Sequence, residues 1–358
     1  MRRFLGVACG FFWVACTPEI SCDVEALRQQ YQVEQHPNYH DMVSSLAPER
    51  LALAVELPDA VGALGRNKPG YFHVRFQVKM EALADYAVVA EDITALEAFA
   101  ETVTYSMDHQ EGDGSFAFEP PAELVADPDY RPPSAGDLAS GVAFFAKSMG
   151  LGLLALEQSP WFTTHAAAEP YRNTLDNQST AISQTLDWLL TQEEVLAQYD
   201  AAAPNRLLFD ALAYHTLGTY LQRPDALQVA ETFMMAALAL VDEEAGYFIE
   251  GGGWDSSYNG VAMMLAMELY SVMEEAPVAL VEAIESATAW EICRIDEQGE
   301  ISTQGNTRVY PGGEEFLGAE KGVDYAKIVK ALYYFGHLTQ EAEATQLGDR
   351  VLEFYLGG

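Results

Sequence analysis

Positive charge is what this chain has least of. Lys and Arg number 19 against 54 Asp and Glu, for a formal charge of −35 over 358 residues. A nucleic-acid partner is therefore not expected, because that affinity comes from many Lys and Arg contacts to phosphates. The same field repels anionic lipid surfaces at long range. Cysteine is also scarce, with four at positions 9, 16, 22 and 293 and no C-x-x-C pair, which leaves no thiol-type zinc or redox motif. No H-E-x-x-H, no Walker lysine loop and no G-x-S-x-G elbow occurs. The seven histidines are scattered. The one close pair, His36 and His40, is interrupted by Pro37, which argues against a helix through both. No cofactor and no metal are expected from these patterns. Beyond the N-terminus no run reads as a membrane span.

The N-terminal segment is a targeting signal. Arg2 and Arg3 precede the apolar run Phe4–Ala15, which has signal-peptide length and is too short to cross a bilayer. Val14-Ala15-Cys16 then sets small residues before a cysteine. This stretch resembles a bacterial lipoprotein signal, with an ordinary secretory signal cleaved nearby as the alternative. The resemblance implies removal of residues 1–15 and lipidation of Cys16. Thr17 in place of Asp after that cysteine implies the outer membrane, with the body facing the periplasm or the cell surface. Membrane contact is then expected through the anchor only. Residues 16–40 read as a tether and 41–358 as the folded domain. Cys22 and Cys293 can pair in an oxidising compartment, but geometry rather than sequence decides.

Nearly half the residues are hydrophobic, enough for a large core. Apolar residues recur three and four apart in ten segments, which pair as hairpins. The pairs are 78–91 with 94–107, 137–156 with 174–198, 205–221 with 225–241, 257–273 with 277–293, and 323–335 with 340–356. Residues 41–66 are a possible partial sixth pair. Glycine turns separate them: Gly70-Tyr71-Phe72, Gly114-Ser115-Phe116, Gly246-Tyr247-Phe248 and Gly299-Glu300-Ile301. A recurring helix–turn–helix unit of this size is the pattern of stacked helical repeats. The expected fold is all-α: an α/α toroid of five to six hairpins with short β turns between them.

The stretch Gly251-Gly252-Gly253-Trp254-Asp255-Ser256-Ser257-Tyr258-Asn259 is similar to the Gly-rich turn and Asp-x-Ser-Tyr segment of six-hairpin polysaccharide lyases and glycosidases. So are Gly305-Asn306-Thr307-Arg308 and Lys321-Gly322-Val323-Asp324-Tyr325. The resemblance implies an envelope protein that binds a polysaccharide or oligosaccharide and, with a working acid–base pair, cleaves it. It implies Asn205, Arg206 or Arg308 as the group that neutralises a uronate carboxylate, and Tyr258 as base or acid. A glycosidase instead needs two carboxylates, for which Glu250, Asp255, Glu314, Glu315 and Asp324 are candidates. Tyr258, Asp255 and Asp324 are thus the expected catalytic residues. Asn205, Arg206, Trp254, Asn259, Arg308, Glu315 and Lys321 are the expected sugar-binding ones, with Tyr310 and Phe316 on the rim. Asp, Ser and Asn at helix starts are equally expected as plain N-caps. His215 shares a helical face with Leu208 and Leu212 and reads as a core histidine. The alternative is a non-catalytic carbohydrate-binding or protein-interaction lipoprotein of the same fold.

Overall fold

The structure, a computed structural model, describes residues 22–316 and 319–357. The signal segment and Cys16 lie outside the described residues. The described chain is mostly helical with almost no strand, as the apolar periodicity predicts.

Residues 22–40 do not form a tether. Cys22 is disulfide-bonded to Cys293. Helix α1 (Val24–Gln30) starts on an Asp23 cap and packs on the body. Tyr31 and Tyr39 are buried. The Glu34 and Gln35 N–H groups both donate to the Leu338 carbonyl, at 2.9 and 3.0 Å. His36 stacks on Tyr270 with ring centroids 4.3 Å apart. The polar run between the tyrosines conceals these few anchoring contacts.

Helices α2 (Tyr39–Ser44) and α3 (Pro48–Ala52) follow, too short to make a full sixth hairpin. The first regular hairpin is α4 (Met80–Ala90) with α5 (Ile93–Met107), joined through Glu91 in a left-handed conformation and an Asp92 cap. After the short α6 (Ala122–Val125), α7 (Ala135–Gln158) starts on a capping box between Ser134 and Asp137. It is long and apolar enough to cross a membrane, yet nearly all of it is buried in the core. Gly150 and Gly152 permit that burial: a Cβ there would sit 2.1 Å from Thr216 and 2.6 Å from the Phe99 ring. The chain returns through α8 (Pro160–Thr164), α9 (Glu169–Asn177), α10 (Ser179–Thr191) and α11 (Glu193–Tyr199). Three compact hairpins complete the order. They are α12 (Pro204–Tyr220) with α13 (Pro224–Leu238), α14 (Ser256–Val272) with α15 (Val278–Ile292), and α16 (Tyr325–Thr339) with α17 (Ala342–Gly357). Pro204 and Pro224 occupy first helical positions, where the missing N–H costs nothing.

The first helix of each hairpin packs on the next: α4 on α7, α7 on α12, α12 on α14, α14 on α16. The glycine turns between hairpins repeat one geometry. Gly114, Gly246 and Gly299 have φ of +90°, +83° and +91°. Each lies against the second helix of the following hairpin, where a Cβ would meet Gln184 O at 2.2 Å, Ser286 Cβ at 2.6 Å and Arg350 O at 2.4 Å. Only glycine combines that φ with that approach. Isolated β-bridges close these turns, and a two-residue hairpin pairs β1 (Glu315–Phe316) with β2 (Ala319–Glu320).

Helix α2 packs against α4, α7, α14 and α16 together. The chain leading into it meets the last turns of the first helices at Gln158, Tyr270 and Leu338. Above α2 the core is ionic. Lys147 on α7 lies 2.6 Å from Glu81 and 2.7 Å from Glu268, and Lys330 on α16 lies 2.8 Å from Glu81, 3.1 Å from Glu268 and 3.3 Å from Asp85. The Tyr39 O–H donates to Asp85. Two lysines face three carboxylates, and burial pushes the Asp85 carboxyl up. One buried cluster thus ties α4, α7, α14 and α16.

Candidate functional site

Asp255 is the N-cap of α14 and is fully buried. Its Oδ1 accepts the Tyr258 N–H at 3.1 Å, and its Oδ2 accepts the N–H groups of Arg308 and Val309 at 2.9 and 2.7 Å. The carboxylate therefore fastens the 302–309 loop to the helix and has no access to a substrate. Three other expected site residues are scaffolding as well. Asn259 is buried, accepting from Phe248 N–H and donating to Ala287 O and Glu291. Asp324 caps α16 and pairs with Lys327. Trp254 lies with its indole against Gly305 and Arg294. Glu315 is exposed on β1, and its side chain has no hydrogen bond or ion pair among the described residues. Asp255→Asn replaces one acceptor oxygen by an N–H donor facing backbone N–H groups. We expect it to lower unfolding stability by about 1–3 kcal/mol in urea titration, a structural loss separate from any effect on ligand.

Of the remaining residues, Arg308 and Lys321 converge on Tyr258. Its ring is flanked by two cations, with the Arg308 guanidinium 4.2 Å and the Lys321 ammonium 4.0 Å from the centroid. The phenol donates to Glu314 Oε2 at 2.8 Å and accepts from Lys321 Nζ. Arg308 is itself held by Glu250 and by Glu314, the latter at 2.9 Å. Burial and the Glu314 hydrogen bond push the Tyr258 phenol far above its usual range, against the pull of Arg308. Burial pulls the Lys321 ammonium down. Burial pushes the Glu250 carboxyl up, opposed by Arg308 and by the more distant charge of Arg206. The Glu314 carboxyl is held low: burial raises it, but Tyr258, Lys321 and Arg308 together outweigh that. The five groups thus form a proton-holding phenol, a weakened ammonium and two carboxyl groups around one guanidinium.

Arg206 stands at the start of α12, paired with the buried Asp200 at 3.1 Å. Its guanidinium lies over the Tyr199 ring, and the Tyr199 phenol donates to Asp137 at the start of α7. Asn205 beside it is buried, with its Oδ1 unpartnered. Arg75, which the sequence reading missed, follows the Gly70 turn and stacks 4.6 Å from the Phe144 ring centroid. Arg206 lies close enough to pull its charged state down, second to burial. The position after a hairpin glycine was the available signal for Arg75, since Trp254 and Arg308 also follow glycine turns. His215 is half-buried, with Nε2 3.0 Å from Val272 O, in the core role expected of it. Tyr310 is exposed, as a rim aromatic would be.

The first turns of α7, α12 and α14 and the approach to α16 therefore present Arg206, Arg308 and Lys321, with Arg75 beside α7. Arg206 and Arg308 carry acidic partners there, Asp200 for the first and Glu250 and Glu314 for the second. Comparison of the chain with protein-family models and with curated proteins finds no match.

Proposed function

We propose that this chain is a lipid-anchored envelope protein whose hairpins close an α/α toroid, and that the mouth of the toroid binds an acidic polysaccharide and cleaves it by elimination. Three features support the toroid: first helices packing in sequence order, the repeated glycine turns, and α2 filling the end where those helices finish. The opposite end then gathers the helix N-termini, whose dipoles favour anions. The Cys22–Cys293 disulfide suits an exported protein, in keeping with an anchor at Cys16 and placement at the outer membrane.

The observation that carries the chemical reading is Tyr258 between Arg308 and Lys321. Of the five candidate hydrolytic carboxylates, Asp255 and Asp324 are committed to caps and Glu250 and Glu314 are tied to Arg308, whereas the parts of an elimination remain. Arg308 neutralises the sugar carboxylate. Lys321, in its amine form, takes the proton from the carbon beside that carboxylate. The bond from the next carbon to the bridging oxygen breaks, a double bond forms between the two carbons, and Tyr258 gives its phenolic proton to the departing oxygen. Binding without cleavage is the second reading. It is favoured by the hydrogen bond from Lys321 to Tyr258, because an ammonium donating there is not yet a base.

Calorimetric titration tests the binding step. An oligouronate should bind and a neutral oligosaccharide of equal length should not. Lys321→Ala should weaken the oligouronate by about 10- to 100-fold, the worth of one hydrogen bond to a charged group. Equal affinity for charged and neutral chains would remove the acidic-sugar assignment.

A further inference from the structure

Three helices end at one cavity of about 400 Å³. Glu157 lines it from the last turn of α7, Asp176 from the last turn of α9, and Tyr220 from the final position of α12. Leu153, Phe162 and Leu175, all buried, form its apolar floor. The volume is that of a small-molecule site, and so is the mixture of an apolar lining with a few polar groups.

The end of a helix calls for a cation, because its unpaired carbonyls carry partial negative charge. None of the three helices has a basic residue in its last turn. Two of them carry an acid instead. Partial burial and the Asp176 charge push the Glu157 carboxyl up, and no cation offsets them. Burial, Glu157 and Asp176 push the Tyr220 phenol up to about 12. The three groups therefore sense one another across the cavity. The neighbouring cations are committed elsewhere. Arg172 also lines the cavity, but its guanidinium donates to the Phe162 and His165 carbonyls and lies 5.7 Å from the Phe162 ring centroid. Arg223, just beyond α12, pairs with Asp187 and Asp225.

We propose that this cavity binds a small organic cation, an ammonium group on an apolar or aromatic body. Glu157 and Asp176 hold the ammonium at the helix ends, and Tyr220 adds an aromatic wall beside it. Leu153, Phe162 and Leu175 cover the body. A bare metal ion would leave the apolar floor unused, and a neutral ligand would leave both carboxylates without a partner. The cavity lies where α7 and α12 finish, whereas Arg206 stands at the start of α12. The proposal therefore stands or falls separately from the reaction at Tyr258.

Calorimetric titration of the full chain tests it with three probes: phenethylammonium, the neutral phenethyl alcohol, and ethylammonium. The first should bind saturably, one per chain, and at least about tenfold more tightly than either of the others, as expected for a hydrogen-bonded charge joined to a covered ring. Glu157→Gln and, independently, Asp176→Asn should each erase most of the advantage over the alcohol. Both variants should melt at or above the wild-type temperature, because each removes an acid from the end of a helix. A loss of binding is then not a loss of fold. Equal binding of phenethylammonium and the alcohol would make the cavity a plain apolar one. Equal binding of the two ammonium ions would reduce the attraction to diffuse charge. Either result, unchanged affinity in both variants, or no binding by wild type would overturn the proposal.

Discussion

Lys147→Met should destabilise the protein by about 3–5 kcal/mol, the cost of removing one partner from a buried ionic cluster. The side chains are close in size, so little of that loss would come from packing. Lys147 is almost fully buried and stands between Glu81 and Glu268. Without it, Lys330 alone faces Glu81, Asp85 and Glu268. Glu268 is fully buried, and neither of its oxygens has a well-aligned hydrogen bond, so it depends on the two ammonium charges. Adding Glu268→Gln to Lys147→Met should recover part of the loss, because it removes the carboxylate left uncompensated. Urea unfolding of the two single variants and the double variant measures this coupling. A loss under about 1 kcal/mol for Lys147→Met would mean that water, not the lysine, compensates these carboxylates.

Tyr258→Phe should lower turnover on an acidic polysaccharide by at least about 100-fold, the usual worth of a positioned general acid. Affinity should fall far less, since the ring still carries Arg308 and Lys321 against its faces. The pH profile follows from the directions of the two shifts. Lys321 must be a neutral amine, and burial moves its titration below the ordinary lysine range. Turnover therefore rises with pH and reaches its plateau earlier than an exposed lysine would allow. Tyr258 must keep its proton, and its phenol is pushed above the usual tyrosine range. The alkaline fall is displaced to correspondingly higher pH. A wild-type rate that is flat across the rising limb would exclude Lys321 as the base.

The hairpins were legible in the sequence because each helix buries one stripe of apolar residues, and because Gly114, Gly246 and Gly299 mark the same tight turn three times. The packing of residues 22–40 was not. Its anchors are a few tyrosines and a disulfide partner 271 residues away, set in a polar run. The site was half legible. Arg206, Tyr258 and Lys321 stand out as residues that do nothing as caps; the structure brings Tyr258 and Lys321 together with Arg308 and pairs Arg206 with Asp200 instead. Asp255 shows the opposite difficulty, since a catalytic carboxylate and a capping one look the same after a glycine run. Only the N–H groups of Arg308 and Val309, more than fifty positions away, distinguish them. The ionic core had a readable signal: Lys147 and Glu268 are each a lone charge inside an apolar helical run.

The most direct test of the account is incubation of the chain from Cys22 onward with a panel of uronic-acid and neutral polysaccharides. New reducing ends and the ultraviolet absorbance of an unsaturated uronate are followed together, with Tyr258→Phe alongside. The account predicts both signals on a uronic-acid polymer with wild type, and near silence with the variant. Reducing ends without absorbance, or activity confined to neutral polymers, would contradict it.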